Sequence, residues 1–176
     1  PECHAFLSQS FEDRSVKKVY QALVLGLPEQ KGIIDKPIAA NKHRPGTMKA
    51  AKKGKASVST YKVLEYFQDC CLVELKPETG RTHQLRVHMQ SIGFPLLIDP
   101  LYGSNHGVFL SKLKPNYRHK SFEEERPLMD RLTLHSSSLT IPDLQNNGEI
   151  YMEAELPKDF RVVLTNLRKY RTLNRE

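Results

Sequence analysis

At 176 residues, with 39% hydrophobic and 27% charged residues, the chain fits one domain with a core that needs no covalent staples. It has no apolar run long enough to span a bilayer, and its cysteines are Cys3 and the neighbours Cys70 and Cys71. That odd set argues against a disulfide framework and for small buried hydrophobes in a reducing, cytoplasmic setting.

The net charge of +7 is concentrated. No acidic residue falls between positions 36 and 64, where Lys36, Lys42, Arg44, Lys49, Lys52, Lys53, Lys55 and Lys62 gather; Arg161, Arg168, Lys169, Arg171 and Arg175 follow near the end. Two readings stand on charge alone: a phosphate-backbone footprint, or a solvated lysine-rich loop.

In chain order, Cys3, Phe6, Leu7, Ser10 and Phe11 follow helical spacing and predict an amphipathic helix. Residues 16–25 alternate, with Tyr20, Ala22 and Val24 on one face and Val19, Leu23 and Leu25 on the other. They predict a largely buried strand closed by Gly26 and Pro28. Residues 38–56 carry Gly, Pro and Lys without period and read as a long mobile loop. Residues 58–67 and 70–76 predict an antiparallel pair joined at Gln68-Asp69. Leu85, His88, Met89 and Ile92 make a helical face, with Thr79 or Thr82 as N-cap and Gly93 at C′. Residues 104–129 read as a surface insertion, 132–141 and 150–156 as strands. Phe160, Val163, Leu164 and Leu167 form a last helix face. The fold class is α+β, with a mixed, mainly antiparallel sheet covered on one side by flanking helices.

Between positions 76 and 103, two arginines, two histidines and a glutamine crowd around a helix start, an arrangement suited to a polyanion and a heteroaromatic ring. Arg81 sits beside Gly80 where strand gives way to helix, near free backbone N–H groups, and suits holding a carboxylate or phosphate bidentately. His83 and Arg86, three residues apart, share a polar helical face that diverges from Leu85, Met89 and Ile92. His83 and His88 lie on different sides of the helix with no Cys or acid at metal-motif spacing, so no metal is expected. No G-x-G-x-x-G, phosphate-binding P-loop or G-x-S-x-G segment occurs, so nucleotide-hydrolysis and serine-hydrolase readings lack support. For Tyr20 two readings remain open: a half-buried core tyrosine, or a ring facing a site where an extruded base would stack.

Gly80-Arg81-Thr82-His83-Gln84-Leu85-Arg86-Val87-His88 resembles the G-R-T-H-Q-[IL]-R-V-H signature of the RluA-type RNA pseudouridine synthases. Asp99-Pro100-Leu101-Tyr102-Gly103 is similar to that family's D-x-L-Y-G. Phe11-Glu12-Asp13-Arg14 and the segment from Lys17 to Gly26 resemble its F-x-x-R and K-x-Y-x-A-x-x-x-G patterns. Lys55-Ala56-Ser57-Val58-Ser59-Thr60, Leu134-His135-Ser136 and Leu156-Pro157-Lys158-Asp159 match further patterns in the same order. Phe94, where the family usually has histidine, and Ile98, where glycine commonly precedes the aspartate, depart from it.

The resemblance implies cofactor-free isomerisation of uridine to pseudouridine in structured RNA, ribosomal or transfer, by a nucleophilic aspartate. On it, Arg81 would pair with and orient that aspartate, and Tyr20 would pack against the flipped uridine. His83, Gln84, Arg86, Lys49, Lys52, Lys53 and Lys55 would grip phosphates. The family's nucleophile lies in an R-L-D-x-x-T-S-G motif that these 176 residues do not contain. The expectation is therefore that residues 1–176 are one domain, the C-terminal portion of a catalytic domain truncated after its nucleophile, without turnover alone. A non-catalytic RNA-binding or RNA-chaperone module on the same scaffold is the alternative; a basic structural protein of a ribonucleoprotein is a third.

Overall fold

The structure, a computed structural model, describes residues 2–117 and 124–173, so Arg175 and part of the 104–129 segment lie outside it. Helix α1 (Glu2–Glu12) forms at the predicted spacing, but its apolar side is only partly packed: Ser10 is buried, Phe6 and Leu7 are half-buried, and Phe11 is 50% exposed. Strand β1 (Lys17–Leu25) obeys its alternation, with Ala22, Leu23 and Val24 wholly buried. Strand β2 (Lys31–Asp35) is an edge that the sequence reading misses.

Where a mobile loop is expected, β3 (Ile38–Ala40) and β4 (Met48–Ala50) pair as a hairpin. The chain then returns along it, Ile38 and Lys55 exchanging backbone hydrogen bonds of 2.9 and 2.8 Å. That return needs glycine at position 54, because a Cβ there would lie 2.5 Å from the Ile38 carbonyl carbon.

Strands β5 (Val58–Tyr66) and β6 (Cys70–Pro77) form the predicted antiparallel pair, closed by the Phe67 N–H on the Cys70 carbonyl at 2.9 Å. Cys70 and Cys71 are buried free thiols, burial pushing Cys71 up to about 12; Cys3, contrary to expectation, is exposed. Helix α2 (Gln84–Ser91) ends with the Gly93 N–H on Gln90 and the Phe94 N–H on Met89, Gly93 taking the left-handed φ of 89° expected of C′. Phe94, one of the departures, lies over Gly26, where a Cβ would come within 2.9 Å of its ring.

The short α3 (Leu110–Leu113) belongs to the supposed surface insertion, yet Val108, Leu113 and Met129 are core residues. Strands β7 (Leu134–Pro142) and β8 (Glu149–Glu153) and helix α4 (Lys158–Tyr170) complete the order. All four predicted α4 core residues are buried, each contributing about 1.5–3 kcal/mol.

The six-stranded sheet runs β2-β5-β6-β1-β7-β8 with every neighbouring pair antiparallel. Leu23 and Leu72 meet α4 on one face. Ala22, Val73 and Leu75 meet Leu85 and Met89 of α2 on the other. Helices therefore pack on both faces rather than one. No helix among the described residues is long and apolar enough to cross a membrane.

Candidate active site

The link from β6 to α2, residues 78–83, is shaped by a buried glutamine. Gln84 is 4% exposed, and its Oε1 accepts from the Thr79 hydroxyl at 2.7 Å and the Arg81 N–H at 3.0 Å. Its Nε2 donates to the Val58 carbonyl at 2.8 Å and the Ser59 hydroxyl at 2.9 Å. The Ser59 hydroxyl donates onward to Nδ1 of the wholly buried His88, whose Nε2 donates to the Lys36 carbonyl at 3.0 Å. Burial pushes His88 below its ordinary pKa; the bond to Lys36 opposes this, and the charge of Lys36 adds to it.

Two expectations are corrected here. Gln84 lines the cleft wall but is not the free donor expected, because its amide is already bonded inside the protein. Thr79 is no N-cap, since its hydroxyl bonds Gln84 and accepts the Val58 N–H; the N-cap position is His83.

His83 holds a left-handed backbone, φ 56°, a conformation costing a non-glycine residue about 1 kcal/mol. Tyr102 fixes its side chain. The Tyr102 hydroxyl accepts the Met48 N–H at 2.7 Å and lies 2.8 Å from His83 Nδ1. With that hydroxyl donating, the neutral ring carries its proton on Nε2. Burial first, then Arg86, lowers the His83 pKa against the pull of Asp99.

Arg86 is the third correction. Instead of standing free to grip phosphate, it forks onto Asp99, Nε to Oδ2 at 2.8 Å and Nη2 to Oδ1 at 2.6 Å. Asp99 is wholly buried and also accepts the N–H groups of Leu101 and Tyr102. Burial pushes its carboxyl up, but Arg86 and those N–H groups outweigh it and hold the carboxyl below its ordinary range. The Arg86 guanidinium lies 4.9 Å from the Tyr102 ring centroid. Sequence reasoning does not single out Asp99 and Tyr102, which hold Arg86 and His83 in place; their only signal is the D-x-L-Y-G match.

These contacts set Arg81 and Tyr20 on a common cleft. About 320 Å³ is enclosed by Lys18, Tyr20, Gly80, Arg81, His83 and Leu134, among others, near the lower end of small-ligand sites. The Tyr20 hydroxyl has no hydrogen-bond partner among the described residues. The Arg81 backbone N–H is taken by Gln84, so it is not the free donor expected, and its Nε makes one long bond to the Ala56 carbonyl at 3.3 Å. No carboxylate pairs with the Arg81 guanidinium among the described residues, and none lines the cleft. Lys18, its Nζ 5.0 Å from the Phe11 ring centroid, stands at the cleft's outer edge.

Gly80 and Arg81 are shared with a second groove of about 490 Å³, whose other wall is the β3–β4 hairpin with Lys53 and Lys55. Lys49, Lys52, Lys53 and Lys55 are all exposed. The structure thus brings together Tyr20, Arg81, His83, Gln84 and Arg86 at the cleft, with Lys53 and Lys55 beside it. Lys49, on β4, and Lys52, in the turn that follows it, line neither groove.

Residues 1–91 match the family model of RNA pseudouridylate synthases. The chain is 35% identical over 170 residues to ribosomal large subunit pseudouridine synthase D of Pseudomonas aeruginosa, covering 97% of this chain and 51% of that one. It is 36% identical to an uncharacterized RNA pseudouridine synthase of Bacillus subtilis, covering 94% of this chain and 49% of that protein. The structure of human RNA pseudouridylate synthase domain containing 4 superposes with a TM-score of 0.68 at 26% identity, covering 95% of this chain and 68% of that one. The chain spans about half the length of the curated relatives it matches. The chain belongs to the RNA pseudouridylate synthase family.

Proposed function

We propose that the cleft between Tyr20 and Arg81 receives a uridine turned out of structured RNA, as part of an RNA pseudouridine synthase. The carrying observation is an arginine beside an aromatic ring at a cleft wall, with no carboxylate partner among the described residues and a basic groove adjoining. In the reaction the bond from C1′ to N1 breaks, the uracil turns, and C5 bonds to C1′; C5 gives up its proton and N1 gains one. Tyr20 stacks on the base and Leu134 backs the ring. Arg81 orients the aspartate nucleophile by a charge-assisted pair. Asp99 cannot be that nucleophile, because its oxygens are buried and shared among Arg86 and two backbone N–H groups. Lys53 and Lys55 hold phosphates beside the flipped nucleotide. The relatives named for the ribosomal large subunit support ribosomal RNA as the substrate class.

Binding to a ribosomal RNA hairpin with a loop uridine tests this reading by fluorescence anisotropy. Tyr20→Ala should weaken binding about tenfold, a stacked base being worth roughly 1–3 kcal/mol, and Arg81→Ala should weaken it by removing a positive charge from the cleft wall. Affinity indifferent to both substitutions would instead support a basic structural protein that binds RNA without reading a flipped base.

A further inference from the structure

The cleft lies on the face of the sheet that carries α2, while part of the opposite face, beside α4, is bare. Register places Lys31 opposite Lys62 and Lys62 opposite Glu74, and places Ile33 opposite Thr60 and Thr60 opposite Lys76. These two cross-strand rows put all six side chains on the same face. They line an open groove of about 500 Å³. Nothing covers it: Ile33, in the middle of edge strand β2, is 74% exposed.

The charges there are unfavourable for the protein alone. Lys31 and Lys62 are exposed and directly opposed, which costs stability. Neither meets a carboxylate among the described residues, and Lys76 pairs only with Glu74, at 2.9 Å. Lys76 also lines a neighbouring groove of about 460 Å³ together with Arg14, Lys17 and Lys18. That groove shares Lys18 and Gly80 with the uridine cleft. A positive track, interrupted by Glu74 and Glu78, therefore runs from Lys31 over the bare face and around the ends of β1 and β6 to the cleft on the other face.

Resting on the function proposed above, we infer that this face is a second RNA contact, which holds the phosphate backbone of the duplex flanking the flipped uridine. Duplex is favoured over single strand because the groove's one aromatic lining residue, Tyr61, turns its ring to the opposite face, beside Leu75 and over Gly32. Ammonium groups on adjacent strands, about 4.8 Å apart along the sheet, recognise phosphate without reading sequence.

The test uses the full chain and two RNA hairpins with the same uridine loop, one with a stem of about 6 base pairs and one of about 16. Wild-type protein should bind the long stem more tightly. Lys31→Glu with Lys62→Glu should weaken the long-stem complex about tenfold, lower its salt slope by about 2, and leave the short-stem complex within about twofold. The neutral pair Lys31→Gln with Lys62→Gln should act in the same direction, guarding against a folding defect of the charge reversal. Unchanged long-stem affinity in both variants would overturn the inference and leave the face to a protein partner or to solvent. Equal wild-type affinity for both stems would overturn it as well. Failure of wild-type protein to bind either hairpin would overturn the RNA reading itself, and this contact with it.

Discussion

Asp99 is wholly buried and satisfies the Arg86 guanidinium and the N–H groups of Leu101 and Tyr102 at once. Asp99→Ala strands all of them, and its expected cost is about 3–5 kcal/mol in a urea titration. Tyr102→Phe removes only a hydroxyl, but that hydroxyl accepts the Met48 N–H and meets His83. A loss of about 1–3 kcal/mol is expected, with faster hydrogen exchange at the Met48 amide. Titration separates these groups. Burial lowers His83 and His88 from their ordinary 6.5, so the unfolded chain takes up protons first as the medium is acidified. Their contribution is complete above pH 6.5 and is lost as pH falls through their native values. Asp99, ordinarily 3.8, is depressed in the fold; its contribution is complete above 3.8 and is lost as pH falls through its native pKa. Urea midpoints should therefore fall in two stages on acidification, and His88→Gln should shrink the first; a single stage near pH 4 would contradict the assignment.

The β3–β4 hairpin is the element on which RNA affinity is expected to depend most visibly. Neutralising Lys49, Lys52, Lys53 and Lys55 should flatten the dependence of binding on salt, by about 0.9 for each duplex phosphate that is no longer neutralised. An unchanged slope would remove the hairpin from the interface. Gly54→Ala should displace it without altering charge, since the added Cβ meets the Ile38 backbone. This hairpin also shows where sequence legibility ends. β1, β5 and α4 are readable because their side chains alternate or recur with the period of their element, and β6 because it is a short apolar run joined to β5 by a turn. Three-residue strands carry no period, and β3 and β4 are positioned by distant groups, the Tyr102 hydroxyl on Met48 and Arg44 on the Leu101 carbonyl. In β2 the adjacent Ile33 and Ile34, one 74% exposed and one 2%, hide the alternation. Helical spacing puts Arg86 on the correct face, but its partner lies 13 residues away, beyond any local pattern. Gln84 reads as a surface donor because its burial follows from β5, not from α2.

For the whole molecule, the cavities form a series: the hairpin groove and the uridine cleft share Arg81, the cleft and its outer neighbour share Lys18, and that neighbour and the bare sheet face share Lys76. The bare face and the cleft are on opposite sides of the sheet, so the series rounds the ends of β1 and β6. No carboxylate lines the uridine cleft among the described residues, so the 176-residue chain is expected to release no tritium from RNA labelled at uridine C5 above background. Robust release would mean that an aspartate already present serves as nucleophile. The most direct measurement is photo-cross-linking to a ribosomal RNA hairpin carrying 5-iodouridine in its loop, followed by mass spectrometry of the tryptic peptides. The predicted adduct lies on Tyr20, in the peptide of residues 19–31, and disappears in Tyr20→Leu; adducts that fall elsewhere and persist in that variant would contradict uridine binding in the cleft.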